Sequence, residues 1–209
     1  PKTYTALLKS NGIKVVPVVS SAKFALKAQD AGCDAVVAEG FEAGGHNGRE
    51  ETTTMVLIPC VSKAVDIPVI AAGGIATGRQ MLAALVLGAS AVQIGSRFVA
   101  SVEASCHNNF KNAVIDAIEG ETMLSLKALT PVRLLKNNFY QQVQQAESIC
   151  ASKEQLEELL GRGRAKKGMF EGNMDDGELE IGQVSSMINN IKPAAEILNE
   201  IWMEYNDLL

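Results

Sequence analysis

Residues 34–54 read Asp-Ala-Val-Val-Ala-Glu-Gly-Phe-Glu-Ala-Gly-Gly-His-Asn-Gly-Arg-Glu-Glu-Thr-Thr-Thr. The stretch begins with an apolar run at 35–38, typical of a strand buried on both faces, and continues as a glycine-dense loop that carries His46. Because glycines stand on both sides of this histidine, a flat ligand could approach the backbone while the imidazole reaches it from one side. The stretch alone also fits an ordinary surface loop with an incidental histidine.

A regular alternation of strands and helices surrounds this stretch. Apolar runs predict strands at 13–19, 35–38, 69–72 and 91–94. Helical periodicity with polar starts and glycine stops predicts helices at 4–10, 22–31, 55–65 and 79–87, and places Phe24, Ala25, Ala28 and Ala31 on one apolar face. Strands that alternate with helices at this spacing indicate βαβ units around a parallel sheet.

The number of strands leaves two interpretations of the fold. A closed (β/α)8 barrel needs eight strands, so four strands form either an open doubly wound sheet or half of a barrel. Two successive strands end in Gly73-Gly74 and in Gly95-Ser96. In barrels the loops after strands seven and eight build a phosphate site, so these ends favour the second half. We predict an α/β fold, the C-terminal half of a TIM-type (β/α)8 barrel at 1–118, followed by a mainly helical C-terminal extension at 119–209.

The extension has weaker patterns. We predict helices at 103–118, 153–160 and 185–205, the last broken or restarted at Pro193, and either a short strand or irregular structure at 122–129. The segment 131–148 is polar, with several Asn and Gln. The basic run at 161–168 predicts a solvated loop, and Asp175-Asp176-Gly177 predicts a turn because it lacks the spacing of a calcium loop.

Composition excludes several classes of function. The chain has 209 residues, of which 47% are hydrophobic, and a formal net charge of −5, which disfavours nucleic acid as a partner. Its four cysteines form no CxxC pair, and the adjacent Cys106 and His107 point apart, so no metal site is expected. A signal peptide and an apolar run of membrane-spanning length are both missing from this sequence, so we expect a cytoplasmic protein with no membrane partner.

Three ordered segments resemble one family of flavoenzymes. They are Glu-Gly-Phe-Glu-Ala-Gly-Gly-His at 39–46, Pro-Val-Ile-Ala-Ala-Gly-Gly-Ile at 68–75 and Ala-Val-Gln-Ile-Gly-Ser-Arg-Phe at 91–98. Their order and spacing resemble the FMN-dependent nitronate monooxygenases (2-nitropropane dioxygenase-like proteins) and enoyl-acyl-carrier-protein reductase II. The segments 132–137 and 182–183 also resemble the family's C-terminal region. The family's barrel is complete, and its N-terminal portion, with strands one to four, has no counterpart in this sequence.

The resemblance implies a flavin site. His46 would be the catalytic histidine over the reacting face of FMN. Gly73 and Gly74 together with Gly95 and Ser96 would hold the FMN phosphate. The remaining implied contacts are Gln93 and Ile94 along the ribityl chain or phosphate, and Ala43, Gly44 and Gly45 beside the isoalloxazine.

The resemblance also implies an activity. The residues at 39–48, the threonines at 52–54 and the strand at 15–19 are more similar to the reductase branch of the family than to the monooxygenase branch. The function expected is therefore reduction of trans-2-enoyl acyl-carrier protein by NADH or NADPH in fatty acid synthesis, by a homodimer. One alternative is a nitronate monooxygenase that oxidises alkyl nitronates with O2, with His46 as base. Another is a non-catalytic flavin-binding half barrel that works only with a second chain.

Overall fold

A computed structural model describes residues 2–209, and these residues form two compact units. The first unit comprises the chain up to Glu42 together with Glu50–Ile94 and Ile201–Leu209, and the second comprises Ala43–Arg49 and Gly95–Glu200. The strands are β1 Val18–Val19, β2 Val36–Glu39, β3 Gly45–His46, β4 Val69–Ala72, β5 Ala91–Gln93, β6 Thr122–Ser125 and β7 Val132–Leu135.

Helices account for most of the remaining regular structure. They are α1 Thr5–Ser10, α2 Ala22–Asp30, α3 Thr54–Ala64, α4 Gly78–Val86, α5 Ser96–Val99, α6 Asn108–Ile115, α7 Asn138–Ser148, α8 Lys153–Leu160 and α9 Ala194–Asp207, with a π-helix at Lys166–Phe170 and a 3-10 helix at Gln183–Met187. In residues 2–209 we find no helix with the length and apolar character needed to cross a bilayer.

The first unit contains a parallel sheet in the order β1-β2-β4-β5, which confirms the predicted α/β class. Register aligns Val19, Ala38 and Ala71 on one face of this sheet. These side chains share one apolar core with residues of α2, α3 and α4, namely Ala25, Ala28, Leu57, Ile58, Val61 and Ala84. The three helices therefore cover the same face, whereas a doubly wound sheet carries helices on both faces.

The opposite face of this sheet is less covered. Its apolar row, again set by register, is Val18, Val37, Ile70 and Ala91. Val37 at the centre is buried, but Val18 on the edge strand β1 is 56% exposed. Ile70 is partly buried and Ala91 is exposed, so this apolar row is covered only in part within the first unit.

Strand prediction succeeded where the apolar run was uninterrupted. The run at 69–72 is β4 to the residue, and β2 and β5 differ from prediction by one residue at their ends. The strand predicted at 13–19 is wrong in length, because only Val18 and Val19 pair. The Val15 N–H donates instead to Asp34 Oδ2 at 2.9 Å, and Pro17 has no N–H to donate.

The predicted helices of the first unit are present with small changes at their ends. Ser21 caps α2 by accepting the Phe24 N–H, and Thr77 caps α4 by accepting the Gln80 N–H. The apolar face predicted for α2 is partly wrong: Ala25 and Ala28 are buried, but Phe24 is 45% exposed.

The second unit contains an antiparallel sheet, β3-β7-β6, that the sequence did not predict. Every residue of β7 is buried although the segment 131–148 reads as polar. Two apolar clusters pack around this sheet and its helices, one around Phe110 and Leu179 and the other around Leu134 and Phe139. The buried strand β7 therefore lies in a segment whose sequence is mostly polar.

Three further predictions in this unit need correction. The helix predicted at 103–118 is shorter, because α6 runs only from Asn108 to Ile115. The basic run at 161–168 is not a solvated loop: helical structure begins at Arg164, whose guanidinium donates to the Leu159 and Leu160 carbonyls at the end of α8. The third correction concerns only the first part of the helix predicted at 185–205, which is a 3-10 helix; the restart predicted at Pro193 is confirmed, because α9 begins at Ala194.

Candidate functional site

His46 lies on β3, at the end of a strand pair rather than in a free loop. Gly45 pairs with Arg133 and His46 pairs with Val132, in antiparallel register. The Asn47 side chain donates to the carbonyls of Ala43 (2.9 Å) and Gly45 (3.1 Å), which ties the start of the strand to the residue after it. The imidazole is exposed while the backbone beneath it is fixed, an arrangement suited to presenting this side chain to a ligand.

Gly44 is required by packing within the second unit. A Cβ on Gly44 would overlap the backbone of Ile181 and Gly182. This close approach explains a glycine of the motif without any ligand, and it brings the segment around Ile181 to the base of the histidine strand.

A pair of carboxyl groups accompanies that segment. Glu180 forms an antiparallel bridge with Leu134 of β7, and its Oε2 lies 2.6 Å from the position of a Cβ on Gly45. Burial raises the pKa of Glu180, while the charge of His46 acts in the opposite direction. Glu178, only 6% exposed, has its pKa raised to about 7 by burial and then by the charge of Glu180, against an opposing effect of Arg164.

Sequence reasoning missed both glutamates. The alternation Glu-Leu-Glu-Ile at 178–181 is a period-two signal for a strand-like segment, but it carries no sign of what the acidic side chains face. Only the bridge between Glu180 and Leu134 reveals that this segment lies along the edge of β7 that also pairs with β3.

Gly95 and Ser96 belong to the second unit and fit the anion role implied for them. A Cβ on Gly95 would meet no atom within 4 Å, so the backbone there faces open space. The Gly182 N–H donates to Ser96 Oγ at 3.0 Å. Since Oγ acts as acceptor in this bond, its own hydroxyl proton remains available to donate to an oxygen of a ligand.

Gly73 and Gly74 belong to the first unit and follow β4. Their φ angles are +93° and +71°, which a side chain would strain. A Cβ on Gly74 would lie 3.3 Å from Glu42 Cβ, so a carboxylate side chain borders the predicted phosphate loop. The carboxylate accepts hydrogen bonds from the Thr54 N–H and hydroxyl, each 2.9 Å from Glu42 Oε2, at the start of α3. Sequence reasoning missed this use of Glu42.

Gln93 and Ile94 also belong to the first unit, at the end of β5. Ile94 is partly buried and packs against the sheet-helix core. Gln93 is exposed, in register with Ala72, which itself pairs with Glu39. The roles of these two residues toward a flavin stay predictions, as do those of Ala43, which is buried, and of the glycines.

Comparison with known proteins identifies the family of this chain. The family model for nitronate monooxygenase matches residues 1–204. The chain belongs to the nitronate monooxygenase family. This confirms the resemblance drawn from the three motifs. A probable nitronate monooxygenase from Staphylococcus saprophyticus is 32% identical over 219 residues, which cover 95% of this chain and 61% of that protein.

Two solved structures are similar to this protein over nearly the whole chain. FabK from Thermotoga maritima is 44% identical with a TM-score of 0.94, covering 100% of this chain and 66% of its own. A nitroalkane oxidase from Streptomyces ansochromogenes is 30% identical with a TM-score of 0.80, covering 97% of this chain and 60% of its own. The chain thus spans about 61% of the curated relative and 66% of FabK.

Proposed function

We propose that this chain is part of an FMN-dependent oxidoreductase that reduces trans-2-enoyl acyl-carrier protein. The observation that carries the proposal is its similarity to FabK, an enoyl-acyl-carrier-protein reductase II, over the full chain at 44% identity. Use of NADH or NADPH, an acyl-carrier-protein substrate, a homodimer and a cytoplasmic location belong to the same proposal.

The residues present in the second unit fit an FMN phosphate. Ser96 has a hydroxyl proton to donate and Gly95 leaves its backbone open. In the first unit, Gly74 would contribute its backbone N–H, beside the Glu42 carboxylate that accepts hydrogen bonds from Thr54. FMN, when bound, would supply the hydride that the β-carbon of the enoyl thioester receives.

His46 would then act on the other end of the double bond. As hydride reaches the β-carbon, negative charge develops on the thioester oxygen, and an imidazolium can stabilise that charge or give a proton to the α-carbon. Ala43, Gly44 and Gly45 would run beside the flavin ring, where small residues leave room for a flat group.

The test replaces His46 by alanine in the full-length enzyme. A group of this kind typically contributes about two to four decades in rate, so the variant should retain FMN yet reduce crotonyl thioester about 100- to 10,000-fold more slowly. His107→Ala is the matched control, since His107 caps α6 through its Nδ1. A His46→Ala enzyme that reduces the thioester at the wild-type rate would contradict the assigned role.

Nitronate oxidation is the second candidate, favoured by the family model and by the curated relatives. In that reaction His46 would be the base toward a carbon acid. Wild-type enzyme should be assayed with a nitroalkane nitronate and O2 and, in parallel, with the enoyl thioester. If it consumes the nitronate but not the thioester, nitronate oxidation replaces enoyl reduction as the proposed function.

We propose in addition that residues 1–118 form the second half of a barrel and 119–209 an extension. A barrel keeps its helices outside and fills its interior with strand side chains. The common face on which α2, α3 and α4 pack, and the incompletely covered row that includes the exposed Val18, support this arrangement. The other strands of the barrel would correspond to the part of the relatives that this chain does not span.

A further inference from the structure

Residues 201–209 pack against the loop that follows β4. That loop, residues 73–78, runs from the first glycine of the predicted phosphate site to the first residue of α4. The part of α9 from Ile201 onward belongs to the same unit as this loop. A Cβ on Gly78 would overlap the Ile201 carbonyl and the Tyr205 backbone nitrogen, so this close approach requires glycine. The C-terminal part of α9 is therefore in direct contact with the predicted phosphate loop.

Glu204 makes the polar contact at this approach. The Gly78 N–H donates to Glu204 Oε2 at 2.7 Å. This N–H is the first of α4, and the first N–H groups of a helix have no partner inside the helix. A carboxylate is favoured there by charge as well as by the hydrogen bond, because the helix dipole is positive at its N-terminus. Glu204 thus closes the start of α4 from within the protein.

Further hydrogen bonds fix the loop where it enters α4. Gln80 Oε1 accepts the Ala76 N–H at 2.8 Å, and Thr77 Oγ1 accepts the Gln80 N–H at 3.2 Å. Gly73 and Gly74 have no side chains that could hold them. Their orientation therefore depends on β4 at one end of the loop and on the contacts at the start of α4 at the other.

We propose that Glu204 is a positioning residue that holds loop 73–78 in the conformation needed for the FMN phosphate, so that the C-terminal part of α9 contributes to flavin affinity without touching the flavin. The inference rests on the proposed FMN site, and it serves both candidate reactions because each would use this cofactor. A loop that is already ordered binds its ligand more tightly, since binding then carries no further entropic cost of ordering it.

A competing role for the same carboxylate has the opposite consequence. A negative charge at the start of α4 could exclude a phosphate from this helix terminus, and its removal would then raise the affinity for FMN. A group that caps a helix stabilises the turn that it closes, so we expect its removal to loosen the loop and to lower the affinity.

The primary experiment compares two flavins in the full-length enzyme. FMN and riboflavin share the ring system and the ribityl chain, but only FMN carries a phosphate. The flavin-free enzyme is titrated with each, and binding is followed by flavin fluorescence. Glu204→Ala should weaken FMN binding about tenfold, the size expected for one lost hydrogen bond to a charged group, and should change riboflavin affinity by less than about twofold.

Two further variants make the test specific to this hydrogen bond. Glu204→Gln keeps an oxygen that can accept the Gly78 N–H, so its FMN affinity should stay within about threefold of wild type. Asp207→Ala is the matched control, because it removes an exposed carboxylate from the same helix. It should leave both flavin affinities unchanged.

Hydrogen exchange of the flavin-free enzyme provides a readout that needs no cofactor. In Glu204→Ala the Gly78 amide loses its acceptor, so the amides of loop 73–78 should exchange about tenfold faster than in wild type. Asp207→Ala should leave their exchange unchanged.

The outcomes separate this inference from the proposed function. Unchanged or increased FMN affinity in Glu204→Ala overturns the positioning role, and so does an equal loss of FMN and riboflavin, which would indicate general destabilisation. If Glu204→Ala does not fold, Glu204→Asp takes its place, since it keeps the charge but is shorter by one methylene. A selective loss of FMN affinity in an enzyme that turns over neither thioester nor nitronate supports the positioning role and rejects the proposed function. A wild-type enzyme that binds no FMN would reject both.

Discussion

The two units of this chain differ in how they bring chemistry together. In the first unit, Gly73 and Gly74 directly follow strand β4, so the position of β4 in the parallel sheet determines theirs. In the second, the histidine strand β3 and the segment around Glu180 come together only because both pair with β7, which lies far from either in sequence. Strand-end loops are thus local products of a regular pattern, while a charge cluster is a product of long-range pairing.

The largest expected effect tests whether the first unit's sheet is complete. Expressed alone, residues 1–209 should self-associate or fail to unfold cooperatively, because β1 and β5 are open edges and one apolar row is incompletely covered. Size-exclusion chromatography and calorimetry of this segment beside the full-length protein provide the measurement. A monomer with one cooperative transition would favour an open sheet over the half barrel.

The next effect sharpens the role of close packing in the second unit. Gly44→Ala should destabilise the full-length protein by about 3 kcal/mol or prevent folding, because the new Cβ overlaps the Ile181 backbone. Gly95→Ala is the matched control in the same unit, since its Cβ meets nothing and its φ of −104° suits alanine. Denaturant unfolding compares them, and equal stability of the two variants would show that the approach at Gly44 relaxes.

A smaller effect is expected for the first unit's strand-end loop. Gly74→Val should lower FMN affinity at least tenfold, about 1.4 kcal/mol, since a branched side chain would stand where the backbone should meet phosphate. Gly12 has a φ of +76°, close to the +71° of Gly74, and a Cβ there would face open space. Gly12→Val therefore controls for backbone strain. Flavin content and affinity are read from absorbance and fluorescence. Stoichiometric FMN in folded Gly74→Val would remove this loop from the site.

The smallest effect concerns the pH dependence of stability. The folded-state pKa of Glu178, about 7, lies above its usual value, so the native protein binds the extra proton and stability is lost as pH rises from about 4.5 through 7. A fully buried charge would make this about 3 kcal/mol; because Arg164 and residual solvent screen it, we expect about 1 kcal/mol. Glu178→Gln should therefore be more stable than wild type at pH 8 but not at pH 5.

Thermal unfolding at both pH values measures this difference, with Glu171→Gln as the exposed control. A constant offset between Glu178→Gln and wild type at pH 5 and pH 8 would mean that folding does not raise the pKa of Glu178.

Where local pattern dominated, the sequence predicted structure to the residue. The run at 69–72 became β4, and 153–160 became α8, whose capping box of Ser152 and Gln155 is readable from sequence. The strand β3 could not be predicted in this way, because Gly-His has little strand propensity and pairs only where β7 presents its edge. For β7 the polar flanks masked a strand that is buried along its whole length, Arg133 included.

The sequence by itself determined the family, the parallel βαβ units and the glycine-flanked histidine, since each depends on neighbouring residues and their spacing. The tertiary structure alone decided that Gly44 packs on Ile181, that Ser96 accepts a bond from Gly182, and that Glu180 stands beside the histidine strand. The physical reason is that periodicity is a property of adjacent residues. The burial of a charge and the choice of its neighbour depend on segments that meet only when the chain has folded.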